Sequence, residues 1–217
     1  MVDNSKSVFL KAFIVSLILF NIGILLGVAF ENVRSGSFLE SYRRNEISLI
    51  DIKLQNDFYK SFDVKFCDTF IKENLEFGDS IYEEGLKLEK VEESSQLTET
   101  ILLDKKKYVL LKTEFWINSI IIKERCNSTY HTVVYFYTQY PNLVKKGEQS
   151  AISRSLEEIK KQYGNEVILL PIAGDLDLVS VNMLRNIYNV TSYPTILIDE
   201  KIKLEGLHSK QEIEKYL

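Results

Sequence analysis

Residues 190–198 read Val-Thr-Ser-Tyr-Pro-Thr-Ile-Leu-Ile, and this stretch determines how the carboxyl-terminal part of the chain is interpreted. The β-branched and aliphatic run after Pro194 predicts a short strand over Thr195–Asp199. A second short strand is predicted over Lys201–Glu205. The single residue between these two ranges predicts that they form a tight β-hairpin.

Further strands and helices alternate ahead of this hairpin, and a helix follows it. Ile152, Leu156 and Ile159 recur at helical spacing and predict the inward face of an amphipathic helix. In chain order, the predicted elements are strand Thr132–Thr138, helix Lys145–Tyr163, strand Val167–Ile172, helix Leu178–Tyr188, the hairpin, and helix Ser209–Leu217. The sequence therefore predicts an α/β domain over residues 132–217.

The segment Asn189–Thr195 resembles the V-x-x-x-P-T run of the thioredoxin-like superfamily, and Gly206 matches the glycine that the family places after its hairpin. The order β-α-β followed by α-β-β-α is also that of the thioredoxin core. The resemblance covers residues 132–217 only. It implies a thioredoxin-like fold, a cis peptide bond before Pro194, and a loop whose backbone N–H and C=O groups can bind an extended peptide.

The redox chemistry of that family is not expected here. Where the family has its cysteine pair, residues 138–144 read Thr-Gln-Tyr-Pro-Asn-Leu-Val, and no cysteine occurs in residues 132–217. Thiol–disulfide exchange requires a thiolate nucleophile. The resemblance thus implies a redox-inactive member that binds a protein or peptide beside Tyr193, Pro194 and Thr195. We expect Tyr140 and Tyr193 near the surface beside this loop, with packing in the core as the alternative.

An uncharged apolar run of 19 residues, Ala12–Phe30, follows an amino-terminal tail of residues 1–11. As a helix it spans roughly 28 Å, close to the ~30 Å hydrocarbon core of a bilayer. The alternative is a cleaved signal peptide, but the run is long for one and residues 28–31 make a poor cleavage site. We expect an uncleaved single-pass anchor in membrane lipid, with the large carboxyl-terminal part outside the cytoplasm.

Gly23 and Gly27 form a G-x-x-x-G pattern inside this run. Two glycines one turn apart open a groove that a second helix can approach closely, so they predict a helix-dimer face in a homodimer. The alternative is that they are ordinary glycines, which are common in membrane helices.

Residues 31–131 are predicted to form a helical stalk or hairpin ahead of the α/β domain. Apolar side chains recur at three- and four-residue steps and give one apolar stripe: Ile47, Ile50, Leu54, Phe58 and Phe62. A second helix is predicted over Asp104–Cys126, with a broad apolar arc that indicates burial on more than one side. Gly78 and Gly85 mark possible breaks in the first helix. Two such helices joined by a short connection predict an antiparallel hairpin.

Cys67 and Cys126 are the only cysteines, and both fall in this helical part. In an oxidising compartment they predict one structural disulfide. The alternative is two buried free thiols that pack as small apolar residues. A third interpretation gives the pair a redox role.

Composition and motifs disfavour several other functions. The formal net charge of −4 gives no bulk attraction to nucleic acid. His131 and His208 lack the neighbouring cysteines or carboxylates of a metal site, and no nucleotide-binding glycine motif occurs. The sequence therefore predicts no catalytic residue, metal or cofactor.

Three hypotheses for the function remain. The first is a single-pass membrane protein with a redox-inactive thioredoxin-like domain that binds a protein or peptide or assists assembly. The second is a thiol–disulfide component that uses Cys67 and Cys126 with a partner oxidoreductase. The third is a structural subunit of a membrane complex, assembled through its membrane helix.

Overall fold

The computed structural model describes the backbone of residues 3–61, 64–94 and 99–217, and the side chains of that part except 3–7, 29–45, 64, 87, 89–94 and 99–100. Contacts divide the chain into two compact units, Met1–Arg44 and Asn45–Leu217. The helices and strands are α1 (Asp3–Ser61), α2 (Cys67–Ser94), α3 (Glu99–Cys126), β1 (His131–Tyr137), α4 (Leu143–Tyr163), β2 (Val167–Ala173), α5 (Val179–Ile187), β3 (Thr195–Ile198), β4 (Ile202–Glu205) and α6 (Lys210–Glu214), with short 3₁₀ turns at Val64–Phe66 and Gly164–Glu166.

The first unit contains an apolar stretch, Val8–Val28, that is long and apolar enough to cross a membrane. Every side chain in this stretch is exposed, which distinguishes it from the buried core helix of a soluble protein. It begins four residues before the predicted Ala12–Phe30 and includes Lys11. The side chains of Ala29 and Phe30 lie outside the described residues.

The sheet of the second unit is mixed, with the strand order β2-β1-β3-β4. β1 pairs in parallel with β2, and α4 provides the crossover that such a pair requires. β3 runs antiparallel to β1 and to β4. The α/β class predicted for residues 132–217 is therefore confirmed in its broad form, as a small mixed sheet within a largely helical chain.

Helices cover both faces of this sheet. On one face, Val133, Tyr135 and Ile196 pack against α4 and α6, where Ile152, Leu156 and Ile159 are buried as predicted. On the other face, the core contains side chains from β1, β2, α3 and α5, together with α1 and α2: Val134, Phe136, Leu170, Phe115, Trp116, Val181, Ile52 and Ile81. Burial of apolar area on both faces is the main force that holds the layers together.

The helices α2 and α3 lie antiparallel. Asn74 donates a hydrogen bond to the Ser119 hydroxyl, and further along α2 the carbonyl of Ile81 accepts from the Tyr108 hydroxyl. Because α3 also packs on the sheet, the helical residues from 45 onward share one compact unit with the α/β part.

The two glycines that marked possible breaks lie inside α2, which is continuous through both. A Cβ at Gly78 would lie 2.8 Å from the ring of Phe115, and one at Gly85 would meet the Tyr108 hydroxyl. These glycines therefore allow α2 to approach α3 closely, and they do not end a helix.

The apolar stripe predicted on the first helix faces away from the core. Ile47, Ile50, Leu54 and Phe58 are 52–67% exposed, and Phe62 lies outside the described residues. The opposite face of α1, with Ile52, Asn56 and Tyr59, is buried. Two hydrogen bonds to α3 fix this choice: Asn56 donates to Glu114 in a partly buried bond, and Asn118 donates to the carbonyl of Ile52 in a buried one. Polar groups on α3 thus determine which face of α1 is buried, and the spacing of the apolar residues alone did not identify that face.

Candidate functional site

The carboxyl end of β1 and the amino end of β3 meet at one end of the sheet, since Phe136 pairs with Thr195. The peptide bond between Tyr193 and Pro194 is cis. The Thr195 hydroxyl donates to the carbonyl of Ser192 at 2.8 Å, and the amide of Gly206 donates to the carbonyl of Pro194 at 2.9 Å. The loop that ends in this cis-proline, here called the cis-proline loop (residues 191–194), is therefore fixed to the start of β3 and to the segment after β4.

The side chain of Tyr193 is more buried than the sequence predicted. Its ring lies against Gly174, where an added Cβ would overlap the ring and its hydroxyl oxygen. The Arg185 guanidinium stacks 5.0 Å from the ring centroid, a cation–π contact. Burial raises the pKa of Tyr193 to about 12, against a smaller lowering by Arg185, so the hydroxyl is neutral near pH 7. The ring is thus a support for the loop, and the backbone of Tyr193 is the part that faces α4.

Lys145 reaches this backbone from the first turn of α4. Its ammonium group donates a hydrogen bond to the carbonyl oxygen of Tyr193 and lies 3.6 Å from a carboxylate oxygen of Glu148. The side chain of Asn142 caps α4 by accepting a hydrogen bond from the Lys145 amide at 2.9 Å. This cap fixes the start of the helix and therefore the point from which the Lys145 side chain extends. Lys145 was not among the predicted site residues. The Asn142 cap is a local signal for its place in the first turn of α4, but not for its contact with Tyr193.

The loop between β1 and α4 lies beside the cis-proline loop and is held from two directions. Asp175 accepts hydrogen bonds from the Thr138 hydroxyl and the Gln139 amide, and the side chain of Gln149 bonds both backbone groups of Thr138. This rigid loop presents Tyr140, which is 60% exposed as predicted.

Exposed apolar side chains lie on the segments that meet at the cis-proline end of the sheet. Leu143 and Val144, on the first turn of α4, are 89% and 71% exposed, and Leu207, next to Gly206, is 58% exposed. Together with Tyr140 they form what we call the apolar rim. Isolated exposed apolar residues are ordinary, but four around one fixed loop form a surface suited to binding.

Cys67 and Cys126 form a disulfide with a Cα–Cα distance of 5.4 Å, as predicted. It joins the first residue of α2 to the last residue of α3. Cys126 precedes the amino end of β1, whereas the cis-proline loop lies at its carboxyl end, so the length of β1 alone separates the two sites by roughly 20 Å. The disulfide and the cis-proline loop are therefore separate sites.

A polar cluster lies at the amino end of β1. Asp199 accepts hydrogen bonds from Lys123 at 2.6 Å and from the Thr132 amide at 2.9 Å, and it pairs with His131 at 2.7 Å. Glu200 accepts from the Trp116 indole at 2.6 Å and from the Thr132 hydroxyl at 2.8 Å. Both acidic residues have a positive φ in the hairpin turn. The cluster fastens this turn to α3, which the sequence analysis did not predict.

Gly23 and Gly27 lie in the apolar stretch of the first unit, and a Cβ added to either would meet no atom within 4 Å in the described part of the chain. Among the described residues, no group of three His, Cys, Asp or Glu side chains is placed to hold a metal ion.

No protein-family model matches the chain, and no curated protein matches its sequence.

Proposed function

We propose that this chain is a membrane-anchored, redox-inactive thioredoxin-like protein that binds an extended polypeptide at its cis-proline loop. The observation that carries the proposal is the cis-proline loop, fixed by hydrogen bonds at the end of the sheet where the exposed side chains of the apolar rim also lie. The element order from β1 to α6 and the pairing of β3 between β1 and β4 agree with a thioredoxin-like domain.

The chemistry expected at this site is backbone pairing together with apolar contacts. The Tyr193 carbonyl lies at the site, where it accepts a hydrogen bond from Lys145. An extended segment that offers its own N–H group would bond this carbonyl in place of the Lys145 ammonium, and its apolar side chains would bury the rim. Specificity would then depend on apolar side chains of the client rather than on charge.

Binding without redox chemistry agrees with the placement of the cysteines. Residues 138–144 contain no thiol, and the only two cysteines are joined to each other at the opposite end of β1. A disulfide persists in an oxidising compartment, which supports a location of residues 45–217 outside the cytoplasm. The apolar stretch Val8–Val28 would anchor the chain in the membrane.

Site-specific photocrosslinking tests this function in the membrane. A photoreactive amino acid at Tyr140 is expected to capture polypeptide, and mapping of the adducts should find extended, apolar client segments. The matched control is Tyr216, a tyrosine that is also exposed and follows α6, which packs beside the carboxyl-terminal half of α4 through Lys210 and Gln162. Equal capture at both positions, or none at Tyr140, would contradict the proposal.

The redox alternative is favoured by one observation, the position of Cys67 as the first residue of α2. The positive end of a helix stabilises a thiolate, so Cys67 would be a good leaving group if a partner thiolate attacked Cys126. Mass mapping after mild reduction distinguishes the two proposals. A bond that resists the reductant supports a structural disulfide, and selective reduction of a folded protein supports exchange with a partner oxidoreductase.

A homodimer, or a structural role in a larger membrane complex, would use Gly23 and Gly27. The space around both glycines admits a neighbouring helix. Replacement of both by isoleucine is expected to abolish crosslinking between two copies in the membrane. Unchanged crosslinking would remove this proposal.

A further inference from the structure

A cavity of about 870 Å³ lies beside the outer edge of β2, between the α2–α3 pair on one side and the amino-terminal half of α4 on the other. Its volume falls within the roughly 300–1,000 Å³ of small-molecule sites. Ile81, Val109, Leu156 and the rings of Tyr108 and Tyr135 supply apolar and aromatic surface. The cavity belongs to the second unit. Tyr193 and Pro194 do not line it, whereas Tyr140 of the apolar rim does. Ligand binding in the cavity requires neither the cis-proline loop nor a client polypeptide.

Positive charge dominates the described lining. Lys105, Lys112, Lys146 and Arg154 are basic, and Glu157 is the acidic member. The carboxylate of Glu157 already lies 4.0 Å from the ammonium of Lys161, which does not line the cavity. Lys146 and Arg154 form no ion pair with a carboxylate among the described residues. The carboxylate of Glu84 also acts on Tyr108 in the lining. Lys146 and Arg154 therefore make their side of the cavity favourable for an anion.

Lys112 provides a buried cation in this lining. It is 4% exposed, its ammonium donates a hydrogen bond to the carbonyl of Pro171 on β2, and it lies 4.6 Å from the centroid of the Tyr108 ring. Burial raises the pKa of Tyr108, whose hydroxyl donates to the carbonyl of Ile81, so this ring presents a neutral face to the ammonium. Lys112 therefore adds a buried positive charge to the lining of the cavity.

We propose that this cavity binds a small amphiphilic anion, with its acidic group at Lys112 and its apolar or aromatic body against Ile81, Val109 and Leu156. Lys146 and Arg154, at the exposed mouth of the cavity, attract the ligand, and the Lys112 ammonium binds its acidic group. A carboxylate or phosphate on an apolar body satisfies these contacts whether it comes from a soluble compound or from a lipid.

Calorimetric titration of the full chain in phosphatidylcholine nanodiscs tests the site, with 2-naphthoate as the anion and 2-naphthylmethanol as its neutral counterpart. The wild type is expected to bind 2-naphthoate at one saturable site. Lys112→Met should weaken that binding at least tenfold and leave the weaker binding of the alcohol unchanged. The matched control is Lys201→Gln, an exposed lysine in the turn between β3 and β4 that does not line the cavity, which should change neither.

Arg154→Gln, at the exposed mouth of the cavity, should weaken 2-naphthoate binding about threefold. This variant keeps the test decisive even if Lys112→Met fails to fold. Soluble dihexanoyl lipids identify the source of the anion. Displacement of 2-naphthoate by the phosphatidylglycerol form but not by the phosphatidylcholine form supports a lipid ligand, and displacement by neither supports a soluble one. Absence of saturable binding, or equal affinity of wild type and Arg154→Gln, would overturn the proposal.

Discussion

The ammonium of Lys145 donates a hydrogen bond to the carbonyl oxygen of Tyr193, the residue whose peptide bond to Pro194 is cis. The chain thus occupies, with its own side chain, the backbone acceptor that an extended client would use. A client must displace a charge-assisted hydrogen bond in order to pair with this carbonyl.

Lys145→Met is therefore expected to strengthen client binding, by about threefold to tenfold. The unbound variant lacks one hydrogen bond, of about 1 kcal/mol, that a client must displace in the wild type. That difference in free energy corresponds to this change in affinity. The measurement is the affinity of an unfolded polypeptide for the full chain in nanodiscs. Lys161→Met, on an exposed face of the same helix, is the control and should have no effect. Weaker binding by Lys145→Met would instead mean that the ammonium contacts the client.

Gly174→Ala should destabilise the fold, because the new Cβ would overlap the ring of Tyr193. Overpacking of this kind costs about 1–3 kcal/mol. The check is the free energy of unfolding from thermal or denaturant melts. Gly147→Ala, inside α4 with open space around its Cβ, is the matched control and should stabilise by up to about 1 kcal/mol. If the overlap is the cause, the cost of Gly174→Ala should largely vanish in a Tyr193→Ala background, and an undiminished cost there would exclude it.

Replacement of both Cys67 and Cys126 by alanine should lower the free energy of unfolding by about 4 kcal/mol. The cysteines are 59 positions apart in sequence, and in the chain-entropy model a closed loop of this length restricts the unfolded chain to about that extent. Denaturant melts of the wild type with and without reductant provide the same comparison without mutation. An unchanged stability on reduction would show that the disulfide has no structural role.

Glu200→Gln should raise the Tm at pH 7. Burial raises the pKa of Glu200 above its ordinary value of 4.5, so the folded chain favours the protonated acid and loses stability as pH rises through that raised pKa. A glutamine oxygen still accepts from Trp116 and Thr132, and the gain should disappear as the pH is lowered to about 4. A gain that persists at low pH would contradict this account.

Asp199→Asn should act in the opposite direction and lower the Tm at pH 7. Burial alone would raise the pKa of Asp199, but hydrogen bonds from Lys123, the Thr132 amide and His131 outweigh it and lower the pKa below 3.8. The stabilisation by this carboxylate is therefore present above its ordinary pKa and lost as the pH falls through the lowered value. Thermal melts of both variants between pH 3 and pH 7 measure the two effects together.

The elements of the α/β part were predictable because each carries a local signal. The β-branched and aromatic run of β1, the helical spacing of Ile152, Leu156 and Ile159, and the positive φ at Gly164 all depend on neighbours in sequence. The buried face of α1 was not predictable, since that helix is apolar on both sides. Asn118 on α3 selects the face through a hydrogen bond between residues 66 positions apart, and such a contact leaves no periodic signal.

The candidate site was only partly predictable for the same reason. Tyr140 and the proline stand in local motifs, and their placement followed from these motifs. Lys145 and Asp175 act through contacts with distant segments: Lys145 bonds Tyr193, 48 residues away, and Asp175 bonds Gln139, 36 residues away. A lysine and an aspartate in polar sequence give no sign of such partners until the chain is folded.

The affinity of a permanently unfolded polypeptide, such as reduced and carboxymethylated α-lactalbumin, for the full chain in nanodiscs tests the central claim most directly. The account predicts saturable binding that weakens at least tenfold when Leu143 and Leu207 of the apolar rim are both replaced by aspartate. Aspartates at Ile50 and Leu54, two exposed apolar residues on α1, should have no effect. Absence of binding, or a loss confined to the α1 pair, would contradict the assignment of the cis-proline loop as the binding site.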